Sequence, residues 1–314
     1  MKKITCLFIG ILVCLCACNG KQKQAEPAKA GDVKEEVPPV VAIYVKGLPL
    51  FAPFNEGDII DNGRILKQSP EKYNKFILNG QVFDVTYKEE KNKDLEHDNS
   101  YYNQYVYQSK DEMKGQLFSY ANVKAVEDYV KTLGDASAEG DVSTLDYADG
   151  ILVTDDYLKG RSVMKFVPTT TEDPTEPQFP AAIVEKVGKM LGQKIESSRI
   201  AYVIGADEYD FGVMKTKPND KFGIAAWVLA KGDEVCVWTD TCRVDESEHR
   251  IYWSSYDPDE YMEPAVYAVV KGENGLDIYV AHVEIDEMVN HYLVRQEATR
   301  MKRISTGNFY QMYE

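Results

Sequence analysis

Three chemically capable side chains, His282, Glu284 and Asp286, occupy every second position of a segment near the C-terminus. On a regular β-strand, residues two apart project from the same face, so an imidazole and two carboxylates would lie side by side. Such a set could hold a metal ion or carry out acid–base chemistry. The apolar residues of this segment change face midway, which indicates a bulge or bend that would separate the three. The solvated end of an edge strand is therefore favoured over a metal site.

Two groups of aromatic residues are candidate ligand-binding surfaces. They are Tyr101, Tyr105 and Tyr107, on one face of a predicted strand, and Trp253, Tyr256 and Tyr261, in a predicted hairpin loop. Exposed aromatic rings can stack on sugars or pack against a partner protein. For the tyrosine strand, a half-buried sheet face covered by a helix is the favoured alternative. For the loop, Asp257-Pro258-Asp259 is also ordinary turn chemistry.

No compact catalytic motif is present in the sequence. The chain lacks the G-x-S-x-G elbow, the H-E-x-x-H zinc motif, the phosphate-binding loop, the dinucleotide fingerprint and the EF-hand loop. These absences favour a non-enzymatic protein without excluding a hydrolase, since many hydrolases carry no compact motif. The sequence predicts no catalytic residue and no cofactor.

Outside the first twenty residues the chain has two cysteines, Cys236 and Cys242. The segment between them can turn as a hairpin and bring the two sulfurs opposite each other. In an oxidising compartment such a pair is expected to form a structural disulfide. The alternative, a redox dithiol, normally uses a C-x-x-C motif at the start of a helix, which this spacing does not match.

Few segments of the chain show the apolar periodicity of a helix, and many show the alternation of a strand. Apolar periodicity predicts a helix over 122–133 and another that starts at Pro180 and ends at Gly192. The pair Asn79-Gly80 predicts a hairpin turn. We therefore expect an α+β fold: two antiparallel-sheet regions, each with one main helix, the C-terminal half being a helix followed by a β-meander.

The segment from Pro168 to Pro180 contains four prolines and three consecutive threonines, which indicates an internal boundary. Residues 19–38 are polar and show no apolar periodicity, as is typical of a flexible tether. The predicted organisation is a signal peptide (1–17), a flexible tether (18–38), an N-terminal α+β domain (39–168), a linker (169–179) and a C-terminal α+β domain (180–314).

The N-terminus combines a short basic head, Lys2 and Lys3, with an uncharged apolar run too short to span a bilayer comfortably. The run ends in Leu15-Cys16-Ala17-Cys18, which resembles the lipobox of bacterial lipoproteins. The resemblance implies a signal peptide cut just before Cys18 and acyl chains, including palmitate, on that residue. In this family the following residue sorts the protein between membranes, and Asn19 favours the outer membrane over the inner one. Whether the protein faces the periplasm or the cell surface is left open.

The formal net charge of −15 makes nucleic acid and anionic lipid headgroups unfavourable ligands of the folded part. Apolar content of 44% is enough for a real core. We expect an envelope lipoprotein, held to the membrane by its lipid, with a binding or structural role toward a partner protein or a glycan. The alternative is a periplasmic or surface hydrolase with its site in the loops of the C-terminal meander.

Overall fold

The computed structural model describes residues 37–45, 57–61, 69–92, 114–120, 122, 124–126, 147–169, 177–206, 208–245, 250–251, 253, 261–283 and 288–310. The predicted signal peptide, nearly all of the tether and Cys18 lie outside these ranges. Residues 36–314 form one unit. Seventeen strands run through the described part. Within it, no helix combines the length and the apolar character needed to cross a membrane.

The first six strands form a closed barrel, in the order β1-β2-β5-β4-β3-β6, with β6 returning to β1. They are β1 Val40–Val45, β2 Ile59–Asp61, β3 Lys75–Leu78, β4 Gln81–Asn92, β5 Lys114–Tyr120 and β6 Tyr147–Val153. The predicted Asn79-Gly80 turn joins β3 to β4, and both residues have positive φ, as a tight two-residue hairpin requires.

Gly150 on β6 marks the tightest approach inside the barrel. A Cβ at this position would lie 2.4 Å from the Phe76 ring and 2.6 Å from the carbonyl oxygen of Ile77. Phe76 is fully buried and packs with other core residues of the barrel, such as Phe118 and Leu152. A small barrel leaves room for few side chains, so one strand position has to give up its own.

The other eleven strands form one curled sheet. They are β7 Ser162–Val163, β8 Phe166–Pro168, β9 Ile195–Ile204, β10 Tyr209–Thr216, β11 Phe222–Lys231, β12 Glu234–Asp245, β13 Arg250–Ile251, β14 Ala265–Gly272, β15 Gly275–Val283, β16 Met288–Glu297 and β17 Arg300–Tyr310. Ten of them follow the order β7-β14-β15-β16-β17-β12-β11-β10-β9-β8, and β13 pairs with β12. Only two residues separate β7 from β8, the first and last strands of this order. The sheet therefore curls through almost a full circuit.

The curl has one weak seam, between β12 and β17. These strands run parallel, and their ladder in the described chain is the single pair Val237 and Arg300. On their other sides β12 pairs with β11 along ten residues and β17 pairs with β16 through Tyr310. Away from Val237 and Arg300, side chains of the two strands still meet across the seam, as Arg303 does with Trp238.

The two faces of the curled sheet have different roles. Its inner face buries one cluster that spans the whole circuit, including Phe211, Trp227 and Val280. The outer face of β14–β16 packs against the barrel, where His291 Nε2 lies 3.0 Å from Asp149 Oδ1. The outer face of β9–β12 packs against a helix, described next. The sheet is thus the central layer of the fold.

Two α-helices have defined bounds in the described chain. The one-turn helix α1, Asp155–Leu158, is capped by the Thr154 side chain, which accepts a hydrogen bond from the Tyr157 backbone N–H at 3.0 Å. Helix α2, Ala181–Leu191, follows Pro180 and ends at Gly192, whose φ of 65° is the left-handed conformation typical of helix C-termini. The prediction for α2 is confirmed. Of the predicted helix over 122–133, only residues 124–126 are described as helical.

The predicted α+β class, with one main helix for each sheet, is wrong, because the fold is mostly β. A barrel buries its own interior, and the curled sheet buries its inner face against itself, so neither needs a covering helix on that side. The C-terminal residues form β16 and β17. β7 and β8 precede the predicted linker at 169–179 and pair with β14 and β9 beyond it. Residues 170–176 are outside the description, and the linker stays a prediction.

The predicted hairpin between Cys236 and Cys242 does not form. Both residues lie on the single strand β12, where they pair with Leu229 and Gly223 of β11. Six residues of strand separate their Cα atoms by about 20 Å, whereas a disulfide needs less than about 7 Å. Both cysteines are free and buried, and burial raises the pKa of the Cys242 thiol to about 11. They are two packed strand residues.

Candidate functional site

The inner residues of several neighbouring strands become polar or aromatic at the same end of the curled sheet. On β10 the inner face passes from Val213 to Lys215, and on β17 from Met301 to Arg303. β15 passes from Val280 to His282 in the same direction. We call this end the mouth. It comprises Lys215, Trp227, Trp238, Asp240, Trp253, Tyr261, His282 and Arg303.

The floor of the mouth is a buried polar–aromatic network centred on Tyr261. The indole N–H of Trp227 donates to Tyr261 Oη at 3.0 Å, and this hydroxyl lies 3.4 Å from Asp240 Oδ2. Burial, and then the nearby Asp240 charge, raise the pKa of Tyr261 well above its ordinary value. The hydroxyl therefore stays protonated, so that it accepts from Trp227 while it donates to Asp240.

His282 belongs to the same floor. Its ring centroid is 5.1 Å from that of Trp227, edge-on, and 5.4 Å from that of Tyr261. Its Nε2 lies 2.9 Å from the backbone oxygen of Met262. A carbonyl can only accept, so Nε2 carries the proton in this contact. His282 is 3% exposed, which makes it a packed and oriented imidazole below the rim.

The rim is formed by half-buried residues that combine cations with tryptophan. The Arg303 guanidinium carbon lies 4.1 Å from the centre of the Trp238 ring and 4.2 Å from that of Tyr292. Lys215 Nζ lies 5.8 Å from the centre of the Trp253 ring. Each cation is held by its attraction to the negative face of an aromatic ring. Lys215, Trp238, Asp240 and Arg303 are all partly open to solvent.

The pairing of β11 with β12 and the missing side chain of Gly223 determine where the tryptophans lie. Trp227 on β11 and Trp238 on β12 are direct cross-strand partners, with ring centroids 4.6 Å apart. Gly223, further along β11, has no side chain where the Trp253 indole passes, and a Cβ there would lie 2.7 Å from that ring. The chain has three tryptophans, and all three lie in the mouth. Tryptophan fluorescence therefore reports on this site alone.

Two of the aromatic residues predicted for ligand binding, Trp253 and Tyr261, fall in the mouth. Their rings meet edge to face at 6.4 Å, and both are buried, so they belong to the floor and not to an exposed loop surface. Their role in ligand binding stays a prediction. The other four predicted aromatic residues lie outside the described chain: Tyr101, Tyr105, Tyr107 and Tyr256.

Of the predicted metal-binding triad, the structure describes only His282. Glu284 and Asp286 lie outside the described residues, so the triad as a whole stays a prediction. Within the described ranges, no group of three or more His, Cys, Asp or Glu side chains is placed to hold a metal ion.

Sequence reasoning missed Lys215, Trp227, Trp238, Asp240 and Arg303. A signal for two of them was present. Lys215 continues the alternation of Phe211 and Val213, and Arg303 follows Met301 at the same spacing. A charged residue at an inward position of an apolar strand marks a place where the core ends or a site begins.

The opposite end of the sheet is closed by an ion-pair network. Glu208 Oε1 accepts from Lys231 Nζ and from Lys271 Nζ, each at 2.7 Å, and both lysines lie over the Tyr209 ring. Hydrogen bonds from the two lysines lower the pKa of Glu208 to about 2. The Glu208 carboxylate is shared between two lysines, so the charged side chains at this end of the sheet already pair with one another. The mouth is therefore the better candidate for a ligand site.

The mouth brings together side chains of the kinds from which ligand sites are built. Aromatic rings, a carboxylate and two cations converge there on the inner face of the curled sheet, and ligand sites of β folds are often built in the mouths of barrels. Comparison of the chain with protein-family models, curated proteins and solved structures gave no match.

Proposed function

We propose that this chain is a lipid-anchored envelope protein with a binding role, and that the mouth of its curled sheet is the ligand site. One observation carries the proposal. The inner faces of β10, β15 and β17 pass from apolar residues to Lys215, His282 and Arg303 toward the same end of the sheet, and on β12 the inner carboxylate Asp240 lies between Trp238 and the buried Cys242. A sheet that only needed a core would continue its apolar alternation to the end.

The anchor rests on the lipobox-like segment that ends in Cys18. Each buried methylene of an acyl chain contributes about 0.8 kcal/mol to membrane binding, and two or more chains give stable attachment. The folded part is then free of any need to insert. A chain of this kind would present its mouth to ligands from a fixed position in the envelope, most simply at the outer membrane, as Asn19 suggests.

Labelling with radioactive palmitate tests the anchor. The Cys18→Ser variant is expected to lose the label and to accumulate as an uncleaved precursor, because the thiol that carries the lipid is gone. Cys16→Ser is the matched control, since a small residue at that position preserves the lipobox pattern. Label that survives in Cys18→Ser, or a mature N-terminus at another residue, would refute the lipid anchor.

Intrinsic fluorescence tests the binding role, because all three tryptophans lie in the mouth. Glycans and peptides isolated from the bacterial envelope are titrated into the protein, and at least one fraction is expected to give a saturable change in tryptophan emission. Trp238→Phe should reduce that change. The binding role is refuted if no fraction perturbs the emission. Release of new reducing ends or amines during the titration would support the hydrolase alternative instead.

A further inference from the structure

We infer that Arg303 is a latch at the seam between β12 and β17, and that its release opens a lateral path from solvent to the floor of the mouth. As an account of how a ligand enters, the inference rests on the binding role proposed above. The floor itself is closed, because Trp227, Tyr261 and His282 are each at most 4% exposed. A ligand that touches these side chains needs part of the rim to move first.

The seam has the shortest ladder of the curled sheet. Within the described chain, β12 and β17 share the single pair Val237 and Arg300. The neighbouring strands β11 and β12 pair along ten residues. A part of a sheet with few backbone hydrogen bonds opens at a lower free energy than its fully paired neighbours. The curl is therefore expected to open first between β12 and β17.

The seam is reinforced at one end. Next to the pair of Val237 and Arg300, Cys236 Sγ donates to the backbone oxygen of Ala298 at 2.8 Å and lies 3.6 Å from Gln296 Nε2. Both partners lie on the other side of the seam, at or near the turn from β16 to β17. From this end the two strands run in the same direction toward the mouth and form no second pair. Opening is therefore expected at the mouth end, with this end as the hinge.

Arg303 joins the two strands at the mouth end. Its guanidinium carbon lies 4.1 Å from the centre of the Trp238 ring, across the seam, and 4.2 Å from that of Tyr292, on its own side. A guanidinium stacks on aromatic faces and is attracted to them by its charge. Tyr292 is buried on β16 and holds the arginine toward β12. Loss of the guanidinium would remove a contact across the seam without changing any backbone pair.

Two native thiols report on the two ends of the seam. Cys236 and Cys242 both lie on β12 and are 3% and 5% exposed. Cys236 is at the reinforced end. Cys242 lies beyond the latch and pairs with Gly223, where an added Cβ would lie 2.7 Å from the Trp253 ring of the floor. Burial raises the pKa of both thiols, so neither is expected to react quickly while it stays buried.

The test is alkylation of the full chain with iodoacetamide under native conditions, with each modified thiol located by tandem mass spectrometry. Arg303→Met keeps an apolar stem and removes the cation. It should accelerate the labelling of Cys242 about fivefold or more, which corresponds to about 1 kcal/mol, and leave the rate at Cys236 unchanged. The matched control is Lys302→Met, which removes the same charge from an exposed neighbour on the opposite face of β17. It should leave both rates unchanged.

A second variant removes the same contact from the other strand. Trp238→Leu should also accelerate the labelling of Cys242. The double variant, Arg303→Met with Trp238→Leu, should be no faster than Trp238→Leu alone, because the contact that Arg303 makes is already lost. Additive effects of the two substitutions would mean that they act independently, and would overturn the latch.

Urea distinguishes opening of the seam from unfolding of the whole chain. Local opening exposes little surface, so the labelling rate of Cys242 in Arg303→Met should change little at low urea, whereas labelling through global unfolding would rise steeply. Such a steep rise, an unchanged rate at Cys242, equal acceleration of both thiols, or the same effect in Lys302→Met would each overturn the latch. None of these measurements uses a ligand, so the binding role is judged separately, by the titration of tryptophan emission.

Discussion

Replacing Tyr261 with phenylalanine probes the network under the mouth with the loss of a single oxygen atom. The Tyr261 hydroxyl is the acceptor for the Trp227 indole N–H at 3.0 Å, and it donates to Asp240 at 3.4 Å. Trp227 is fully buried and Tyr261 is 4% exposed, so water cannot easily replace the lost oxygen. Asp240 is partly open to solvent and can be rehydrated.

The expected loss of stability depends on which hydrogen-bond partner of the Tyr261 hydroxyl is left unsatisfied. Because Asp240 regains water, the penalty is that of one buried, unsatisfied indole N–H, which is about 1–3 kcal/mol. The phenyl ring keeps the shape of the tyrosine, so no large cavity adds to this figure. For a folded part of this size, each kcal/mol lowers the melting temperature by about 2–4 °C.

The assay is urea unfolding followed by tryptophan emission and, independently, by far-ultraviolet circular dichroism. Tyr87→Phe is the control, because Tyr87 is a half-buried tyrosine of the barrel that packs edge-on against Phe118. Its loss of a hydroxyl should change stability by less than about 0.5 kcal/mol. If Tyr261→Phe is as stable as Tyr87→Phe, the hydrogen bond from Trp227 does not stabilise the fold, and the reasoning about the floor is wrong.

Two further predictions concern other parts of the fold. Gly150→Ala should lower the free energy of unfolding by about 1–3 kcal/mol or more, because the added methyl would lie 2.4 Å from the Phe76 ring. The control is Gly272→Ala, where the added Cβ would meet nothing closer than 3.7 Å, so its melting temperature should be nearly that of the wild type. Glu208 has a folded-state pKa of about 2, below its ordinary value of 4.5, so its charge stabilises the fold above pH 4.5 and this contribution is lost as the pH falls toward 2. The urea concentrations at the midpoint of unfolding at pH 5.5 and pH 2.5 should therefore differ less in Glu208→Gln than in the wild type. The exposed control, Glu234→Gln, should behave like the wild type. Equal pH dependence in all three proteins would contradict the ion-pair network.

Local features of the fold were predictable because short stretches of sequence decide them. Asn79-Gly80 allows the positive φ values of a two-residue hairpin, and that turn forms between β3 and β4. Pro180 and Gly192 bracket α2 because the first has no N–H to lose at a helix start and the second adopts the left-handed conformation at its end. The lipobox-like segment is likewise local, and the lipid anchor it implies stays a prediction.

The fold class was missed because the sequence shows which face of a strand is apolar and not what covers that face. Helix α2 covers the outer face of β9–β12. The inner face is covered by the other half of the same sheet. Strand pairing between β12 and β17 joins residues more than sixty positions apart, Val237 and Arg300, and no local pattern encodes a contact at that separation.

The same limit applies to the mouth. Lys215 and Arg303 each stand out as charges at an inward position of an apolar strand, which the sequence alone determines. Their convergence with Trp238 and Asp240 was decided by the tertiary structure. It follows from the curl of the sheet, which brings strands distant in sequence to the same end, and from the register of β11 with β12, which sets Trp227 against Trp238. Alternation assigns a side chain to a face, whereas only closure of the sheet decides which other side chains share that enclosed space.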